Sequence, residues 1–154
     1  MTTTGPWDLE TIEAHLRASV VPVRLGCLDT SGWPAVVSLW FEYEGGALWC
    51  ATPARSRVAE WLEREPRCAF EVAPNAPPYF GVRGRGTAEL RPSEGKRVLH
   101  RLALRYLGGD SSEFADWLLS RRVDEVAIRI APARVSSWDF RGRMQMPVRA
   151  QGER

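Results

Sequence analysis

The run YFGVRGRGTAELR, Tyr79 to Arg91, constrains this chain more than any other stretch. It reads as one long β-strand, yet glycines stand at Gly81, Gly84 and Gly86. Glycine packs no side chain and weakens a strand. It is therefore kept where the backbone bulges, bends or is closely approached. Several such points in one strand fit a sheet that curls toward a barrel. The chain is expected to be mainly β.

Five further strands are legible. VVPVRLGCL (20–28) is one, with Pro22 marking an edge or a bulge. DTSGW then turns the chain. PAVVSLWFEY (34–43) and ALWCAT (47–52) pair as a hairpin across EGG. RCAFEVA (67–73) puts Cys68, Phe70 and Val72 on one face and Glu71 on the other. DEVAIRIAPARVSSWDF (124–140) turns Val126, Ile128 and Ile130 one way.

Helices fall between these strands. Asp8 is a candidate N-cap for a first helix with Leu9, Ile12 and Leu16 on one face. Val58, Trp61 and Leu62 repeat at helical spacing before Pro66. SEGKRVLHRLALRYLGG offers Ser93 as a cap and Gly108–Gly109 as an end. SSEFADWLLSRR carries Phe114, Trp117 and Leu118 on one stripe. The tail RGRMQMPVRAQGER has no period. Six or seven strands with helices inserted predict an antiparallel barrel rather than alternating βαβ units.

Composition excludes several function classes. Net charge is only +2, too little to argue for nucleic acid or a membrane surface. Cys27, Cys50 and Cys68 are odd in number, form no C-x-x-C, and each sits in an apolar run; buried thiols in a reducing compartment are expected. No apolar stretch reaches the ~18 residues of a membrane span. MTTTGPWDLE has no basic start and no apolar run, so no signal peptide is expected and the cytoplasm is the expected location. The two histidines, His15 and His100, have no second ligand at i+3 or i+4, so no metal site is expected. There is no Walker A motif, no G-x-G-x-x-G opening a helix and no G-x-S-x-G.

One turn stands out chemically. Thr52, Arg55, Ser56 and Arg57 gather where a strand enters a short helix. A helix N-terminus presents free N–H groups and a positive dipole end. Hydroxyls and arginine forks add to that, and together they suit a phosphate. The simpler reading is that Ser56 caps the helix and the arginines are solvated. Trp33, Trp40, Trp49 and Trp138 lie on or beside strands and could wall a planar ligand or fill core and subunit contacts.

The order of these pieces resembles the pyridoxamine 5′-phosphate oxidase-like, flavin-binding split-barrel superfamily, over roughly residues 20 to 140. DTSGWP is similar to that family's D-x-x-G-x-P. TPARSRVAEWLEREPR is similar to its T-x-x-x-S-R-K, helix and x-P-R. VRGRGTAEL resembles V-x-G-x-A-x-L, and IAPARVSSW resembles P-x-R-V-x-x-W.

The resemblance implies a six-stranded antiparallel Greek-key split barrel over residues 20–140, behind an N-terminal helix (1–19) and before a tail (141–154). It implies a homodimer with FMN, or the deazaflavin coenzyme F420, at the subunit interface. It assigns the cofactor phosphate to Thr52, Ser56 and Arg57, and the ring to Ser38, Leu39 and Trp40, with Trp138 arriving from the partner. The family's lysine falls on Val58, a frequent arginine on Glu60 and the oxidases' strand arginine on Val36, so vitamin B6 oxidation is not expected. Arg55, at the same turn, is the candidate replacement. Tyr79 and Arg83 could reach a small-molecule substrate.

The expected function is a flavin- or deazaflavin-dependent oxidoreductase. A cofactor-binding protein without turnover and a cofactor-free structural dimer are the alternatives.

Overall fold

The computed structural model describes residues 1–108 and 113–144. Residues 109–112 and the tail from Gln145 fall outside them. Strands β1 (Thr2–Thr4), β2 (Val23–Leu28), β3 (Pro34–Leu39), β4 (Glu42–Glu44), β5 (Ala47–Pro53), β6 (Arg67–Val72), β7 (Phe80–Arg91) and β8 (Glu125–Asp139) form one sheet. Helices α1 (Leu9–Ala18), α2 (Arg57–Arg64), α3 (Gly95–Leu107) and α4 (Glu113–Ser120) are inserted between strands. The sheet order is β3-β2-β6-β7-β8-β5-β4, antiparallel throughout, and it curls into a half-barrel. Strand β1 adds in parallel to β8, Thr3 opposite Val135.

The mainly β split barrel is present, with eight strands instead of six. PAVVSLWFEY is not one strand. It breaks at Trp40–Phe41 into β3 and β4, which lie at opposite edges of the sheet. Its apolar run is continuous because both halves face the same interior, so nothing in the pattern marks the break. Thr2–Thr4 supplies the other extra strand. Pro22 marks neither an edge nor a bulge. It stands just before β2, which lies between β3 and β6.

Strand β7 curls the sheet as its glycines require. Its middle, Val82 to Thr87, pairs with β6 and its whole length with β8, with a register shift at Arg85/Gly86. A Cβ on Gly86 would come within 2.3 Å of the Ala131 carbonyl oxygen, and one on Gly84 within 2.5 Å of the Phe70 ring. The β4–β5 hairpin turns through Gly45 and Gly46, both at positive φ (58° and 74°). Two-residue turns of that hand match strand twist. In DTSGW, Asp29 Oδ1 accepts from Ser31 N–H (2.8 Å), Ser31 Oγ–H (2.7 Å) and Trp33 N–H (2.9 Å). Those bonds hold its carboxyl below the usual range.

The interior is continuous. Ile12 and Leu16 of α1, Val23 and Leu25 of β2, Phe41, Leu48, Phe70, Val82, Ile128 and Ile130 are buried together. A second cluster joins Val98 and Leu102 of α3 to Ala127, with Trp40, Trp49 and Tyr106 against it. Strand β8 is thus covered on both faces near its start. Asp8 caps α1, accepting from Thr11 N–H at 2.8 Å. Ser93 does not cap α3. Pro92–Glu94 form a 3-10 turn, and Glu94 precedes the helix without a side-chain cap bond. Gly108, at φ 79°, ends it.

Candidate functional site

Strand β5 delivers Thr52 into the turn that opens α2. Ala54 N–H donates to Asp124 O (2.7 Å) and Ser56 N–H to Pro53 O (2.9 Å), so the turn is pinned to β8 and to itself. Ser56 caps α2, its Oγ accepting from Ala59 N–H at 3.3 Å. Thr52 is buried, and its Oγ1–H donates to the same Ser56 Oγ at 3.0 Å. That oxygen therefore accepts twice, which leaves its own proton available to donate. The first intrahelical bond runs from Glu60 N–H to Ser56 O (3.1 Å). The amides of Arg57 and Val58 precede it and face the helix mouth.

Arg55 and Arg57 are exposed at this mouth, and among the described residues neither forms an ion pair. The turn thus offers one hydroxyl proton, helix amides and two unneutralised guanidinium forks to an anion. A phosphate fits that donor set. Val58 points the other way, into the core, so a cation at that position is replaced by packing. Glu60 and Val36 are exposed, and neither adds positive charge here.

The other expected residues divide. Ser38 is exposed and Leu39 half-buried on β3. Val37 and Leu39 pack on the core that holds Val58 and Leu62 of α2, so the inner side of β3 and the helix share one interior. The Trp40 ring is committed elsewhere. It stacks on Tyr106 of α3, with centroids 5.1 Å apart and planes at 12°. Tyr106 Oη–H donates to Val21 O (2.9 Å), and its oxygen accepts from Phe41 N–H (3.2 Å). The residues joining β3 to β4 are thereby fixed to α3. Sequence reading missed Tyr106, whose partners lie far away in the chain.

Trp138 is not brought to the turn. Thr52 pairs with Val126 at the start of β8, and Trp138 lies twelve residues further along it, about 40 Å of strand path. Trp138 instead packs beside Arg83, whose guanidinium lies 5.7 Å over its ring. They stand on the outer face of the sheet, where register lines up Ser38, Arg24, Glu71, Arg83 and Ser136 across five strands. A groove of about 350 Å³ there is bordered by Arg83, Arg85, Arg134 and Ser136. Tyr79 and Trp138 line a neighbouring one of about 330 Å³ with Arg24 and Glu71. Among the described residues no cluster of histidine, cysteine and carboxylate could hold a metal ion, and no helix is long and apolar enough to cross a membrane.

No protein-family model and no curated protein matches the chain. Solved structures do. A conserved hypothetical protein of Mycobacterium tuberculosis aligns at TM-score 0.74 and 26% identity, over 96% of this chain and 94% of that one. An F420 reductase aligns at 0.66 and 23%, over 85% and 98%. A putative pyridoxamine 5′-phosphate oxidase of Listeria innocua aligns at 0.63 and 18%, over 83% and 95%.

Proposed function

We propose that this chain, whose fold is the split barrel of the pyridoxamine 5′-phosphate oxidase-like superfamily, is a flavin-type oxidoreductase. It uses FMN, or alternatively coenzyme F420, and works as a homodimer on a small-molecule substrate. The observation that carries the reading is the Thr52–Arg57 turn, where Ser56 Oγ accepts twice and keeps its own proton to donate, beside two exposed arginines at the same helix mouth. The F420 reductase among the structural neighbours supports the cofactor class.

Thr52 orients Ser56, and Ser56, Arg55 and Arg57 hold the cofactor phosphate. The end of β3, at Ser38, Leu39 and Trp40, borders the ring through its backbone. The stack on Tyr106 keeps that backbone in place. A bound flavin or deazaflavin would supply the hydride exchange. Trp138 belongs to the same seat only if a second chain provides it, because within one chain it lies at the other end of β8. The dimer is therefore part of the proposal.

The test is a visible-absorption titration with FMN and, separately, with F420. One of the two should bind with a shifted band. Arg57→Ala should weaken that binding about 10- to 100-fold, the value of a charge-assisted bond of about 1.5–3 kcal/mol. If neither cofactor binds the wild-type protein, the oxidoreductase reading is wrong.

A further inference from the structure

Three thiols lie in the barrel interior, and two of them stand one step beyond the end of the same ladder. The β2–β6 ladder pairs Arg24 with Glu71, Leu25 with Phe70 and Gly26 with Ala69. The ladder ends there, and its register extended by one step brings Cys27 opposite Cys68. Both are buried, 5% and 7% exposed, and both belong to the core cluster that holds Leu25 and Phe70, so their side chains lie on the inner face. Facing residues in antiparallel strands have Cα atoms about 4.5–5.5 Å apart. A disulfide accepts about 4.4–6.8 Å. Cys68 Sγ–H makes one weak contact, to Gly86 O at 3.7 Å.

The ladder ends at Gly26 and Ala69, and a cavity of about 390 Å³ there, bordered on the outer face by Leu28, Val36, Arg67 and Arg85, touches both cysteine residues. A small peroxide reaches the inward thiols where the two strands part beyond that last pair. Cys50, fully buried on β5, does not line it.

We propose that Cys27 and Cys68 form an intrachain disulfide between β2 and β6 when the protein meets a small peroxide, and that Cys50 takes no part. One thiolate attacks a peroxide oxygen. The O–O bond breaks, a sulfenic acid forms and one water leaves after protonation. The second thiol sulfur attacks the sulfenic sulfur. The S–S bond forms, the S–O bond breaks and a second water leaves. Two thiols are oxidised and one hydrogen peroxide is reduced to two waters.

The pair reacts slowly in the resting protein. Burial pushes the Cys27 thiol up to about 11 and the Cys68 thiol up to about 12, where the neighbouring Cys27 adds to the rise. Only the thiolate attacks, so the rate should climb about tenfold per pH unit below those values. This inference stands apart from the cofactor reading.

The experiment treats the whole protein with hydrogen peroxide, then unfolds it, blocks free thiols and maps its peptides without reduction. Free thiols should fall from three to one per chain, with Cys27 linked to Cys68 and Cys50 free. Cys50→Ala should keep the link, and Cys27→Ala should abolish it. The wild-type map decides the matter even if a variant folds poorly. A Cys50–Cys68 link, a link between chains, sulfinic acid at either residue, or three intact thiols at alkaline pH would each overturn the proposal.

Discussion

His15 ties stability to pH through one ring. It lies between Trp7 and Phe80, with centroids 5.2 and 5.8 Å away, and its Nε2–H donates to Val72 O at 3.1 Å. Burial holds its pKa below the ordinary 6.5. The Val72 bond opposes that shift, and Arg141 adds to it. The folded form therefore takes up its proton at lower pH than the unfolded chain does. Stability from this residue is complete above about pH 6.5 and falls with acidification until the folded-state pKa is passed. Urea midpoints at pH 5 and 7.5 should differ, and His15→Gln should shrink the difference. Ser56→Ala is a second residue-scale test. Losing the cap should cost about 0.5–2 kcal/mol in urea unfolding, and losing the donor hydroxyl should weaken cofactor binding further. Asp8 and Ser56 were readable as caps because each acts within its own helical turn. His15 was not, since Trp7, Phe80 and Val72 meet it only through tertiary packing.

Elements show where local pattern stops being informative. Cys68, Phe70 and Val72 alternate, and the structure buries them as the alternation implies. Phe114 and Trp117 share a stripe, but α4 leaves both half-exposed and stacked on each other, 5.5 Å apart. Strand β3 ends and β4 begins inside a run of apolar residues, so only the wider sheet reveals the break. Helix α3 starts at Gly95 and not at a Ser93 cap because its first residue abuts β8. A Cβ on Gly95 would lie 2.0 Å from the Glu125 carbonyl oxygen. Gly95→Ala should therefore destabilise the protein by about 1–3 kcal/mol, as overpacked sites do, measurable in a urea titration. An unchanged midpoint would mean that α3 can slide away from β8.

At the scale of the molecule, the proposed seat needs two chains, and complementation can test that. Arg57→Ala and Trp138→Ala should each lose cofactor binding on their own. Mixed and allowed to exchange, they should recover about a quarter of the native sites, because half of the dimers become hybrids and each hybrid has one unaltered site. No recovery after proven exchange would place both residues in the same chain's site. The barrel was legible from the glycines of β7 and the order of the strand patterns, and the Thr52–Arg57 turn from its residue types. The spread of the seat was not, since the distance from Thr52 to Trp138 depends on how β5 registers on β8.

That same strand governs how the protein can be made. Strand β8 pairs with β1, β5 and β7, and no described strand follows it in the chain. Thr2 must wait for Arg134. At about 5–20 residues per second, a ribosome takes about 7–25 s to cover that separation. During that interval β5 and β7 emerge with an unpaired edge, and Leu48 and Val82 have no wall to close on. The nascent chain is thus a poor client for cotranslational folding. Its yield in a cell should depend more on chaperones that hold exposed strands than on the stability of the finished barrel.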